Sequence, residues 1–317
     1  MQAHRSRFHL PASADRKQGW STEIAPSTAL ESREISVWRF FALTFLLGWG
    51  VAIIAILLED QFKPIFGEIG YTHPVFILAV YSPGIAAIYL IWRRYGPAAL
   101  VNYFRRLTLW RLPGKWWLFL LLGIPAAKYL GAAFNGNATE FPFSPWYDVL
   151  PAFVAALLIG PIEEFGWRGL ALPLLQRRYT PLKASLILGS FWGLWHLPAF
   201  LLSGTPQSSW SLWPYLIGVM ALAVILTPIF NAARGSILIA MIYHFQMNGP
   251  AWPDAQPWEN FIFAAIAIAI VAFMWRAMTT REGAATKIFV SDRETTIEID
   301  TVGMRAPSIS ATHSLSD

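Results

Sequence analysis

The stretch VLPAFVAALLIGPIEEFGWRGLALPLLQRRY, residues 149–179, decides how the chain is read. It opens as an apolar run, acquires Glu163, Glu164 and Arg168 in its middle, turns apolar again and closes on Arg177 and Arg178. A segment of this length and hydropathy is suited to cross a hydrocarbon core, which takes about 20 apolar residues. Three charges inside it cost roughly 2.5 to 3.5 kcal/mol each at bilayer depth and ordinarily mark a function or a pair.

The rest of the chain has the same character. Of its 317 residues 55% are hydrophobic and only 14% charged, a departure from soluble-domain usage toward a multispanning membrane protein. Apolar runs at 38–58, 74–92, 116–134, 146–175, 184–203, 211–230, 236–247 and 260–275 predict an all-α, polytopic membrane fold of about eight transmembrane helices around a buried polar site. The seventh run is short, and a broken or re-entrant neighbour would have to complete it. There is no cysteine, so disulfides, thiolate ligands and thiol nucleophiles are excluded.

Lysine and arginine placement gives a second, independent reading. All but three of the 24 basic residues fall on one side of the predicted membrane, which the positive-inside rule makes the cytoplasmic side; Lys63 lies opposite, and Lys128 and Arg168 lie inside spans. Both termini are then cytoplasmic. The positive balance is explained by orientation, and no basic face with aromatic or groove-reading context suggests a nucleic-acid partner. Residues 1–37 read as a polar N-terminal cytoplasmic segment without the character of a cleaved leader, 38–276 as the membrane domain and 277–317 as a polar tail. In that tail KIFVS and TTIEI have the composition of two short pairing strands.

Helical periodicity sorts the three charges. Glu164 and Arg168 are four residues apart on one face, in the order that favours a carboxylate–guanidinium pair. Glu163 lies about 140° from Arg168 at 3.6 residues per turn, so it is expected to have no partner in its own helix. The alternative is that all three form a buried network that only holds helices in register.

Further polar groups recur in later spans: His196 in GSFWGLWHLPAF, and His244 and Asn248, four apart, in ILIAMIYHFQMNGP. Counted inward from the basic ends at about 1.5 Å per residue, Glu163 lies about 21 Å deep, His196 about 20 Å and His244 about 15 Å. Similar depths on separate helices predict one shared interior site. A glutamate and a histidine there can take a proton from water while imidazole and carboxamide donors hold an oxyanion. Alternatively Glu163, His196 and His244 could bind zinc or another divalent metal with an open water position, although no HExxH pair is present. Two non-hydrolytic readings stand beside these: a membrane scaffold or immunity-type binding protein, and a small-solute transporter, for which the two halves lack any detectable repeat.

At these residues the sequence resembles the CPBP (Abi) family of intramembrane proteases, which includes the type II CAAX prenyl endopeptidases. Glu163-Glu164-Phe-Gly-Trp-Arg168 fits EExxxR, Trp192-Gly-Leu-Trp-His196 stands where the family has FxxxH, and His244-Phe-Gln-Met-Asn248 fits HxxxN. The resemblance covers about residues 145–250. It implies an intramembrane endopeptidase of membrane-associated or lipidated peptides, of metallo- or glutamate type, in the inner (plasma) membrane of a bacterium, with membrane lipids and a peptide or protein substrate as partners. It further implies Glu163 as base on water with His196 assisting, His244 and Asn248 on the oxyanion side, and Glu164, Arg168 and Trp192 in support. Trp192 replaces the motif's phenylalanine, and the wall it forms is expected to keep its character.

Overall fold

The computed structural model describes residues 34–290. Five helices are long and apolar enough to cross a membrane: α1 (Val37–Leu57), α4 (Gly114–Phe134), α5 (Trp146–Gln176), α6 (Pro181–Leu201) and α7 (Leu212–Ala232). A sixth span is a pair, α2 (Pro74–Val80) and α3 (Ser82–Tyr95), bent by 52°. The cause is Pro83, which has no N–H to give and whose ring crowds the carbonyl one turn back. The two remaining expected spans are shorter, α8 (Ile237–Met247) and α9 (Trp258–Phe273), the latter followed by α10 (Trp275–Thr279).

The eleven residues of α8 reach about 16 Å, half a hydrocarbon core. The helix starts at Ser236, whose hydroxyl accepts from the Ile239 amide at 3.1 Å, and stops at Asn248. Irregular backbone follows it, and Gly249, Trp252 and Gln256 in that stretch line a cavity. Non-helical chain at membrane depth is tolerated there because it is covered by protein and not by lipid.

The outer surface of the bundle carries the lipid-facing belt that the composition calls for: Leu46, Leu57, Leu121, Leu122, Leu157, Leu158 and Phe273 are all more than half exposed. The second half of α5 is its opposite. Glu163–Gln176 are buried without interruption, enclosed by α1, α3, α6 and α8. Among the described residues the single β-type pairing is an isolated bridge between Gly70 and Gly204. Lys287–Val290 form no strand, and the rest of the KIFVS and TTIEI segments lies outside the described residues.

α5 is not one regular helix. A 3-10 turn occupies Gly160–Glu163 and a π turn Trp167–Ala171, the second a form that concentrates at functional sites. Pro161 and Pro173 each remove a backbone donor, and side chains from other helices take over the freed carbonyls. Arg106 Nη1 donates at 2.5 Å to Gly169 O, the carbonyl that Pro173 cannot serve. The Tyr103 hydroxyl donates to Phe165 O beside the π turn, and the Tyr81 hydroxyl donates to Leu158 O at 3.0 Å. Gly166 lets the backbone of α3 touch this region: a methyl group there would stand 2.5 Å from Pro83 O.

Candidate active site

Glu163 ends the 3-10 turn of α5 and is 3% exposed. Its Oε2 accepts two indole N–H bonds, from Trp192 of α6 at 3.0 Å and from Trp167 at 3.2 Å. The expectation that Glu163 lacks a partner in its own helix is therefore corrected: Trp167 stands four residues on, on the same face, a spacing present in the sequence but not read as a donor. Both donors share one oxygen, which leaves Oε1 as the oxygen available to water or substrate.

Glu164 and Arg168 form the expected pair, with Oε1 to Nη1 at 2.9 Å and both side chains fully buried. The pair is not self-contained. The same Glu164 oxygen lies 2.8 Å from His244 Nδ1. A carboxylate only accepts, so Nδ1 carries the proton and Nε2 is turned outward. The remaining face of the Arg168 guanidinium lies over the Trp192 ring, 4.3 Å from its centroid, a cation–π contact in a desolvated site. Trp192 thus serves Glu163 with its edge and Arg168 with its face. Only the second use is open to the phenylalanine of the motif, so the change of residue adds a donor to Glu163 and does more than preserve a wall. Trp192→Phe is expected to keep Arg168 stacked and to slow the reaction about tenfold, the worth of one hydrogen bond to a charged group. Kinetics of the purified variant check this.

His196 caps the C-terminus of the regular part of α6. Its Nδ1 lies 2.8 Å from Trp192 O. Because a carbonyl can only accept, the proton again sits on Nδ1 and Nε2 is left as an acceptor. The ring is walled by Trp195, Tyr215 and Trp192 at centroid distances of 4.8, 5.6 and 5.8 Å. Trp49 Nε1 donates to Trp195 O at 3.1 Å and Trp195 Nε1 to Ser82 Oγ at 3.2 Å, which fixes this end of α6 against α1 and α3.

His244 and Asn248 meet at Gly160. A methyl group built on that glycine would stand 2.6 Å from Asn248 Nδ2 and 3.1 Å from His244 Nε2, so both atoms face the same point on α5, one turn before Glu163. Gly160→Ala would push them apart and is expected to cut turnover by about 100-fold, the scale of an ångström's misplacement in a catalytic group. The insertion and melting of the variant should change far less. An assay on purified protein tests the pair.

Glu163, Trp192, His196, His244 and Asn248 all line one cavity of about 610 Å³. Glu164 and Arg168 stand behind it, fully buried. A second polar group borders the same space: Lys128 of α4 pairs with Glu259 of α9 at 2.6 Å. That contact accounts for the lysine inside a span. The donor set for a metal does not assemble in this way. Among the described residues no three His, Asp or Glu side chains stand together so as to hold an ion, and the candidate set of Glu163, His196 and His244 is no exception. Nδ1 of each histidine is engaged, which leaves Nε2 as the ring nitrogen open to a further partner.

Fold and site together define a polytopic helical membrane protein with a carboxylate, two imidazoles and a carboxamide converging on an intramembrane cavity. Residues 145–249 match the family described as type II CAAX prenyl endopeptidase Rce1-like. The CAAX prenyl protease 2 of Methanococcus maripaludis is 33% identical over 147 residues, a stretch that covers 43% of this chain and 51% of that protein. The chain thus spans about half the length of the relative it matches. Over residues 145–249 the chain is therefore similar to the Rce1-like type II CAAX prenyl endopeptidases.

Proposed function

We propose that the protein is an intramembrane endopeptidase that hydrolyses peptide bonds of membrane-associated peptides or proteins without a covalent intermediate. The observation that carries this reading is the convergence of Glu163, His196, His244 and Asn248 on one cavity. Water between Glu163 Oε1 and His196 Nε2 gives its proton to the carboxylate as it attacks the scissile carbonyl, and the unprotonated Nε2 of His196 accepts water's second hydrogen and orients it. The developing oxyanion is met by Asn248 Nδ2–H and by His244 Nε2–H in its imidazolium form. Glu164 holds that imidazolium through Nδ1. With it the buried set of two carboxylates, Arg168 and His244 is neutral, as a desolvated site requires. Collapse of the tetrahedral species returns the proton from Glu163 to the leaving amine.

The name of the archaeal relative extends the reading to prenylated tails as one substrate class. Lipid-anchored and unmodified membrane peptides assayed side by side with purified protein distinguish these. His196→Ala and His244→Ala should each lower cleavage by at least about 100-fold, the scale of a misplaced nucleophile for the first and of a lost oxyanion donor for the second. Chelation and metal analysis give the complementary test: full activity of metal-stripped protein is expected, and activity that disappears on stripping and returns with zinc would replace the glutamate route by a metal one.

A further inference from the structure

The cavity sits at one end of the bundle. Helices that leave the basic side contribute their C-terminal parts to its lining: α1 from Gly48, α4 at Lys128, α6 from Trp192 and α8 from His244. Helices that run the other way contribute their N-terminal parts: α2 from Val75, α5 from Ala152 to Glu163, α7 from Tyr215 to Leu222 and α9 from Glu259 to Phe263. The loops that complete the lining, through Tyr71, Phe143, Gln207 and Asp254, belong to that same end. The basic residues occupy the other end, where Arg106 and Arg177 tie the loops and the start of the tail together through Gly235 O and Thr286 O. At the cavity end, which includes the short helix Glu59–Phe66, Lys63 is the one lysine or arginine among the described residues between the spans, against Glu59, Asp60, Glu68, Glu140 and Asp254, with Asp148 at the start of α5.

Lysine and arginine in short loops set membrane orientation, and acidic residues contribute little to it. We infer that the cavity opens away from the cytoplasm, and that its substrates are membrane-anchored or exported peptides whose scissile segment lies at the non-cytoplasmic surface. The substrate half of this statement rests on the hydrolytic reading above. The excess of acidic residues at this end of the bundle suits a peptide with a positively charged flank. A cytosolic C-terminal tail would meet the basic end of the bundle instead.

The absence of native cysteine makes the test direct. Single variants of the full chain place a thiol in exposed loops at the cavity end, Glu140→Cys and Ser209→Cys, and at the basic end, Thr108→Cys and Glu282→Cys. In intact cells a membrane-impermeant maleimide should label the first two at least tenfold more than the last two, and permeabilisation should remove the difference. Labelling of the Thr108 and Glu282 variants from outside, with the other two protected, overturns the inference. In parallel, single-span reporters displaying the same peptide on either side should be cut only on the non-cytoplasmic side; cleavage of the cytoplasmic display overturns the substrate assignment. Labelling is independent of chemistry. If purified protein cleaved no peptide at all, hydrolysis and its substrates would fall while the labelling still decided which way the cavity opens.

Discussion

Replacing Glu163 by glutamine is expected to lower peptide cleavage at least about 1,000-fold, within the range of a positioned general base, while leaving the protein folded. The two halves of that expectation have separate causes. Glutamine has the volume of glutamate and retains an amide oxygen that can accept the indole N–H bonds of Trp167 and Trp192, now at 3.2 and 3.0 Å. The wall of the site and the stacking of Arg168 on Trp192 therefore stay as they are. What disappears is the basic oxygen: an amide takes no proton from water at neutral pH. Single-turnover cleavage by purified protein, with thermal unfolding in the same detergent, measures both. Wild-type rates in Glu163→Gln would remove this residue from the chemistry and leave the cluster as packing. Full activity with His196→Ala would instead remove that histidine from the orientation of the water.

The membrane architecture is legible in the sequence because its cause is local. Runs of apolar residues and the alternation of basic loops need no knowledge of the tertiary fold, and Glu164–Arg168 follows from spacing alone. The partnership of Glu164 with His244 is not local. Eighty residues separate them, and no periodicity links a carboxylate on α5 to an imidazole on α8. The reading of Glu163 as unpartnered fails for a related reason: tryptophan in an apolar run is taken as bulk, whereas its N–H must find an acceptor once buried. The breaks in α5 are half visible. Pro161 and Pro173 announce lost backbone bonds, but the groups that replace them, Tyr81, Tyr103 and Arg106, arrive from other helices. The short span at 236–247 was recognisable as short. That its missing half is cavity-lining irregular chain depends on tertiary packing that no local pattern encodes.

The Glu164–Arg168 pair separates stability from chemistry. Arg168→Leu leaves the fully buried Glu164 without its guanidinium, and Glu164→Leu leaves both Arg168 and His244 without an acceptor. Each single change should cost about 3 to 5 kcal/mol, as removal of one partner of a buried ion pair does, and should appear as poor insertion or a sharply lowered melting temperature. The double variant Glu164→Leu/Arg168→Leu removes both charges together. Apolar residues in a buried pair's place are commonly neutral or stabilising, so most of the lost stability should return. Activity should not return with it. His244 Nδ1 would have lost the carboxylate that holds its imidazolium and aims Nε2 toward Asn248 and Gly160, and outer partners of this kind are worth about 10- to 100-fold where they orient histidines at metal sites. A stable double variant with wild-type turnover would show that Glu164 only neutralises Arg168. A stable, inactive one assigns it both duties, and the EExxxR spacing then reads as one carboxylate for the water and a second that serves a structural cation and a catalytic imidazole at once.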